Sequence, residues 1–263
     1  MKIPFYQVDS FARTVFKGNP AGVCMLEEWI SRELMQQIAA ENNLSETAFF
    51  VPHKDGYRIR YFTPKVEVDL CGHATLASAH IIFYRIAADK TKIKFYANKE
   101  TFFVYREDDF IRMDFPAVKP WIDFEQPSVI EEALGVKIKC AVGADDLLVE
   151  LENEAIVKQV EPSFVKLAKL PYRGIIITAP GDKNDFVSRF FAPRLGINED
   201  PVTGSAHTFL VPYWHRKTGK RKFEASQLSE RGGQLFCTLS ESSETVAVKG
   251  TARTFLEGNI TTK

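Results

Sequence analysis

Two stretches of this chain match each other at long range. Residues 60–71 read RYFTPKVEVDLC and residues 189–200 read RFFAPRLGINED. At a constant offset of 129, Arg60 meets Arg189, Tyr61 meets Phe190, Phe62 meets Phe191, Pro64 meets Pro193 and Lys65 meets Arg194. Gly72-His73-Ala74 then resembles Gly204-Ser205-Ala206 at offset 132. Long-period similarity is the mark of a duplicated architecture, and it constrains the fold more than any composition does. Both triplets open candidate helices, Thr75–Ile86 and Thr208–Lys217, although Pro212 is expected to interrupt the second.

The order of elements agrees with the repeat. Ser31 is placed to cap a helix running to about Asn42, with Leu34, Met35, Ile38 and Ala39 on its apolar face. A β-rich run, Thr47–Val51, follows and is ended by Pro52. In the second half Ser163 can cap Phe164–Leu170, and Gly174–Ala179 is a β-rich run ended by Pro180. The alternative is that both segments are strand–turn–helix units of a kind many α/β domains contain; the shared order favours duplication. The boundary is expected at Pro116-Ala117-Val118-Lys119-Pro120, giving an N-terminal lobe, 1–117, and a C-terminal lobe, 118–263. Just beyond it Pro127 and Ser128 start a helix, with Ser128 and Glu131 at capping-box spacing and Gly135 as its C-terminal residue.

Composition restricts the function class. Lys plus Arg and Asp plus Glu number 34 each, so no global field draws the chain to nucleic acid or an anionic membrane. No segment reaches the ~20 apolar residues of a membrane span, and the N-terminal stretch has no signal-peptide pattern. Cys24, Cys71, Cys140 and Cys237 are scattered without a CxxC pair, which argues against a disulfide framework or a zinc motif and for a reducing cytoplasm. Nucleotide, P-loop, zincin and nucleophile-elbow motifs are absent, so no metal or other cofactor is expected.

The chemistry-bearing residues cluster at the repeat. Glycine at a helix start lets backbone amides approach a ligand, so Gly72 and Gly204 are candidate substrate-binding positions. Glu46 sits between a helix end and an apolar strand, where desolvation is expected to raise its pKa for general acid/base work. His73 lies in the glycine turn and can shuttle a proton. Asp200 takes the slot of Cys71 at offset 129, so two opposed thiols are not available. Ser205 can hydrogen-bond a substrate. Each of these, taken singly, is more often structural than functional.

Longer motifs carry a resemblance. Val8-Asp9-Ser10-Phe11, Gly18-Asn19-Pro20-Ala21-Gly22-Val23, Asn43-Leu44-Ser45-Glu46-Thr47-Ala48-Phe49, Leu70-Cys71-Gly72-His73-Ala74-Thr75-Leu76-Ala77 and Glu199-Asp200-Pro201-Val202-Thr203-Gly204-Ser205-Ala206-His207 run in order over almost the whole chain. Ser226-Gln227 with Arg231-Gly232-Gly233 is a weaker match. In these stretches the chain resembles the PhzF-like phenazine-biosynthesis isomerases of the diaminopimelate epimerase-like superfamily. The resemblance implies an α+β fold of two pseudo-symmetric lobes, each a curved mixed sheet around a central helix, with the site in the cleft between them. It implies a cofactor-independent isomerase that moves a proton within a small carboxylate-bearing substrate, with a cyclic amino acid one option, and a cytoplasmic homodimer. Glu46 matches the family's proton-carrying glutamate, and His73, Asp200, Gly72 and Ser205 match residues lining the same pocket; the candidate catalytic set is Glu46, His73 and Asp200, and the candidate substrate-binding set is Gly72, Cys71, Gly204 and Ser205. Two other readings stay open: an amino-acid epimerase or racemase using Cys71 with a second base, and a non-catalytic ligand-binding protein on the same scaffold.

Overall fold

A computed structural model describes residues 1–119 and 121–262. Pro120, at the end of the expected boundary segment, and Lys263 lie outside the described residues. The first part of the chain forms β1 (Lys2–Ser10), β2 (Asn19–Met25), α1 (Arg32–Asn42), β3 (Glu46–His53), β4 (Gly56–Phe62), β5 (Glu67–Val68), α2 (Gly72–Ile81), β6 (Lys92–Tyr96), β7 (Thr101–Glu107) and β8 (Phe110–Pro116). There follow β9 (Ile122–Asp123), α3 (Pro127–Leu134), β10 (Cys140–Gly143), β11 (Leu147–Glu150), α4 (Glu154–Gln159), α5 (Phe164–Leu167), β12 (Ile175–Pro180), β13 (Phe186–Ala192) and β14 (Ile197–Asp200). The chain ends with α6 (His207–Thr218), β15 (Lys222–Gln227), β16 (Gly233–Leu239), β17 (Thr245–Gly250) and β18 (Ala252–Thr261). This is an α+β fold: mixed sheet with few helices.

The pairing pattern repeats. In the first unit β2 follows β1 antiparallel, α1 crosses over to β3 parallel to β2, β4 and β5 add antiparallel, and α2 crosses over to β6 parallel to β4. In the second unit β11 follows β10 antiparallel, α4 and α5 cross over to β12 parallel to β11, β13 and β14 add antiparallel, and α6 crosses over to β15 parallel to β13. Parallel neighbours need such crossovers, whereas antiparallel ones need only turns. The repeated arginines do the same local work. Arg60 in β4 pairs with Glu67 in β5 at 2.7 Å, and Arg189 in β13 pairs with Glu199 in β14 at 2.7 Å.

The second crossover helix of each unit is buried. All of α2 from His73 to Ile81 is buried except His80, and α6 is buried from His207 to Trp214. A helix apolar on every side has no solvent face to offer and belongs inside a sheet. Its small residues, Ala74, Ala77 and Ala79, allow α2 to pack close against β1, β2 and β3.

Several local expectations need correction. The units are Met1–Asp114 with the segment from Lys249 onward, and Phe115–Val248, so the 117/118 boundary does not hold for the C-terminal strand. β18 returns to pair with β1 from Lys2↔Thr261 to Ser10↔Ala252, covering an edge that would otherwise expose unpaired backbone. Pro212 does not interrupt α6. Its missing N–H frees the Thr208 carbonyl one turn earlier, and the Val118 N–H donates to that oxygen at 2.9 Å. The capping box at Ser128 is not formed, because Pro127 is already helical and Gln126 is the cap; Glu131 binds Lys137 and the Ile138 N–H instead. Ser163 makes no side-chain cap and its helix stops at Leu167. β3 runs on through Pro52 to His53, whereas β12 ends at Pro180 as expected. The α2 segment reaches Ile86, as expected, but only through a π turn over Ile82–Ile86 closed by Ala87 N–H to Ile82 C=O at 2.8 Å. Ser31 does cap α1, accepting from the Leu34 N–H at 3.2 Å, and Gly135 does end α3 at φ 72°.

Candidate active site

Glu46 is the first residue of β3. Asn43 ends α1 in the left-handed region at φ 50°, the chain reverses, and Glu46 enters the sheet beside Ala21 of β2. Cys71 is the N-terminal cap of α2, with Gly72 and His73 in its first turn. The Thr75 hydroxyl donates to the Cys71 carbonyl at 2.7 Å, and the Ser10 hydroxyl donates to the His73 carbonyl at 2.7 Å. These bonds anchor the segment that carries two of the three side chains. His73 Nε2 lies 3.1 Å from Glu46 Oε2, and Cys71 Sγ lies 3.5 Å from His73 Nδ1. The structure therefore brings Glu46, Cys71, Gly72 and His73 together within the first unit.

The electrostatics differ from the expectation for Glu46. Burial pushes its carboxyl up, but the charge and hydrogen bond of His73, helped by Cys71, outweigh that and hold it below its ordinary 4.5. An apolar flank alone does not raise a carboxyl when a cation stands against it. Burial opposes a charge on His73, yet Cys71 and Glu46 lift it well above 6.5. Burial, then Glu46, push the Cys71 thiol above 9.0. At neutral pH Glu46 is a carboxylate and Cys71 a thiol, with His73 shifted toward its charged form. Glu46 contributes stability above 4.5 that is lost as pH falls through its lowered value; His73 contributes below 6.5 and loses it as pH rises through its raised value. The pair therefore stabilises the fold fully between about pH 4.5 and 6.5.

The second unit holds a different set. Asp200 ends β14, and its Oδ2 accepts from the Thr203 hydroxyl at 2.5 Å. Gln227, buried, clamps this corner: its Nε2 donates to the Asp200 carbonyl at 2.8 Å and its Oε1 accepts from the Thr203 N–H at 2.8 Å. Gly204 and Ser205 form the turn before α6 and are not its first helical residues, because the His207 N–H reaches back only to the Gly204 carbonyl. Arg173 Nη2 donates to Ser205 Oγ at 3.3 Å while Nε donates to Asp146 at 2.9 Å. Arg173, Asp146, Thr203 and Gln227 were not singled out from the sequence; Thr203 and Gln227 had a signal in the motifs that contain them, and Arg173 and Asp146 had none. Gln227→Leu would strand the Thr203 N–H and Asp200 carbonyl. A loss of about 1–3 kcal/mol is expected, read as a lower urea midpoint at unchanged slope.

The register explains why the two units diverge chemically. Thr47 lies opposite Phe62 and Ile175 opposite Phe191, so Gly174 stands where Glu46 stands in the first unit. A Cβ at Gly174 would overlap the ring of Phe190. Phe190 is the counterpart of Tyr61, whose hydroxyl instead reaches Thr75 Oγ1 at 2.5 Å. The second unit has no room for a side chain, acidic or otherwise, at that position.

Comparisons with known proteins place these features. The phenazine biosynthesis-like (PhzC-PhzF) family model matches residues 8–258. An uncharacterised isomerase of Pseudomonas aeruginosa is 47% identical over 261 residues, covering 99% of each chain. A crystal structure of a PhzF-family protein from Enterococcus faecalis superposes with a TM-score of 0.97 at 43% identity, covering 100% of both chains. A probable proline racemase from Agrobacterium radiobacter aligns with a TM-score of 0.60 at 9% identity, over 99% of this chain and 93% of its own, a likeness of fold alone. The architecture is thus the diaminopimelate epimerase-like class. Within it, the chain belongs to the phenazine biosynthesis-like (PhzC-PhzF) family.

Proposed function

We propose that the protein is a cofactor-independent isomerase in which Glu46 moves a proton between two positions of a small carboxylate-bearing molecule, a cyclic amino acid among the candidates. The observation that carries this reading is the Glu46–His73 contact of 3.1 Å at the start of a buried helix. A general base must be ionised to accept a proton and must return it later, and the contact with His73 holds the Glu46 carboxyl down, toward that receptive form. Carrying the proton away and back on one carboxylate needs no redox or electrophilic group. The Gly72 turn offers backbone N–H groups for polar atoms of the substrate. In this reading Asp200, Gly204 and Ser205 assist binding or proton transfer; Asp200→Asn is expected to lower kcat/KM. A cytoplasmic homodimer belongs to the same reading, and light scattering at several concentrations tests the dimer.

The racemase alternative draws on Cys71, which lies beside both His73 and Glu46. It predicts that Cys71→Ser collapses turnover, whereas a glutamate mechanism loses far less. The reading is tested by incubating the protein with small cyclic amino acids and hydroxyanthranilate-like acids in deuterated water and following carbon-bound protons by NMR. Exchange at one carbon supports it, and ligand binding with no exchange in any member of the panel removes it. The pH profile is a second check. Because His73 holds the Glu46 carboxyl down, the acid limb of kcat should lie below pH 4.5 and move upward in His73→Gln. An unmoved limb would break the link between the two residues.

A further inference from the structure

Three donors of different chemistry converge where β3 meets α2. His73 Nε2 lies 3.1 Å from Glu46 Oε2 and 3.9 Å from Cys71 Sγ, and one ligand atom of each residue lies within 4.8 Å of the others. In a tetrahedral zinc site, bonds of ~2.0 Å to nitrogen or oxygen and ~2.3 Å to sulfur set neighbouring donors roughly 3.3–3.6 Å apart. The two distances from His73 Nε2 bracket that edge, so small side-chain rotations suffice to close around an ion. Thiolate and imidazole together select borderline and soft cations over magnesium or calcium. Three protein donors leave the fourth position open to water or an added ligand.

The surroundings favour a defined site. The side chains of Glu46 and His73 are 13% and 7% exposed, and Cys71 is buried, so little water competes for them. The Ser10 and Thr75 hydroxyls already fix the backbone of His73 and Cys71 before any ion arrives. The partial positive charge at the start of α2 opposes a cation. The ion displaces the proton of the Cys71 thiol and any proton on the His73 ring to solvent, and the thiolate and carboxylate that remain neutralise a divalent ion and offset that opposition. No sequence motif announces the arrangement, because the third donor comes from a strand 25 residues upstream of Cys71 and only folding brings it near.

We propose that Glu46, Cys71 and His73 form a site for a thiophilic divalent cation of the zinc class, and that its occupancy and proton transfer by Glu46 exclude each other. The second clause rests on the acid/base reading above; the first stands without it. A bound ion takes the carboxylate lone pair that would otherwise accept the substrate proton.

The test uses the reduced, chelator-washed full chain titrated with cobalt(II). The expected result is a thiolate-to-cobalt charge-transfer absorption that saturates at one ion per chain and is displaced by zinc. Cys71→Ser should lose this absorption, and Cys140→Ser, which removes the exposed thiol of the second unit, should keep it. If Cys71→Ser fails to fold by circular dichroism, His73→Gln is read in its place, and loss or displacement of the tetrahedral cobalt spectrum is expected. Absence of the absorption, its survival in the site variants, or its loss in Cys140→Ser overturns the site. Zinc should also abolish deuterium exchange, with recovery on chelation; exchange persisting in the zinc-saturated protein overturns the exclusion. A cobalt spectrum with these dependences alongside full exchange by Glu46→Gln would instead leave the metal site standing and remove the acid/base reading.

Discussion

Glu46→Gln is expected to lose about 10²–10⁴-fold in kcat while keeping the native fold, since that is what positioned acid/base groups supply. The amide has the size of the carboxyl and can still accept a hydrogen bond from His73, so packing at the start of β3 is preserved. What disappears is the site that takes and returns a proton. The negative charge beside His73 goes too, and the imidazole should then titrate lower than in the parent protein. Steady-state kinetics on whichever ligand shows exchange measures the first effect, and an NMR titration of the His73 ring measures the second. Full activity in a folded Glu46→Gln protein would end the assignment.

Arg189→Met should cost about 3 kcal/mol, a larger penalty than the same change at its repeat partner Arg60. Arg189 is 12% exposed and serves three acceptors: it pairs with Glu199, and its Nη1 donates to the carbonyls of Val157 at 3.1 Å and Val160 at 2.7 Å at the end of α4. Removing it strands a half-buried carboxylate and two carbonyls together. Arg60 hydrogen-bonds Glu67 and lies against the rings of Trp29 and Phe62, and Glu67 keeps Arg32 at 2.8 Å and Asn98 at 3.2 Å when Arg60 is gone. Arg60→Met should therefore cost less, about 1–2 kcal/mol, because the Glu67 carboxylate keeps two partners. Arg60 is still the main reason that Glu67 is held down to about 2, so that pair's contribution, present above pH 4.5, fades as pH falls toward 2. Urea melts of the two variants at neutral pH check the ranking, and equal losses would contradict it.

The duplication was legible because it is written in residues whose chemistry must recur. An arginine that pairs with an acid on the next strand, flanked by aromatics, leaves the same trace twice. The return of β18 to β1 left no such trace, since a strand's partner depends on which edges remain open once everything else has folded. Pro212 misled for a related reason: the rule against proline in a helix concerns an unpaired carbonyl, and here Val118, far off in sequence, pairs it. At the site, Glu46, Cys71, Gly72 and His73 could be picked out one by one, but the sign of the Glu46 shift could not. It depends on a distance of 3.1 Å that only the fold creates. Gly174 was seen to lack a carboxylate; that Phe190 fills the space of any side chain there needed the packed structure.

The central claim is a duplicated frame whose proton-carrying base, Glu46, stands in the first unit with no counterpart in the second. Deuterium incorporation in parallel samples of the parent protein, Glu46→Gln and Cys71→Ser, all confirmed as folded, tests it most directly. The expected result is exchange at a single carbon of the ligand in the parent, most of it retained in Cys71→Ser, and none in Glu46→Gln. Exchange abolished by Cys71→Ser and retained by Glu46→Gln would contradict the account.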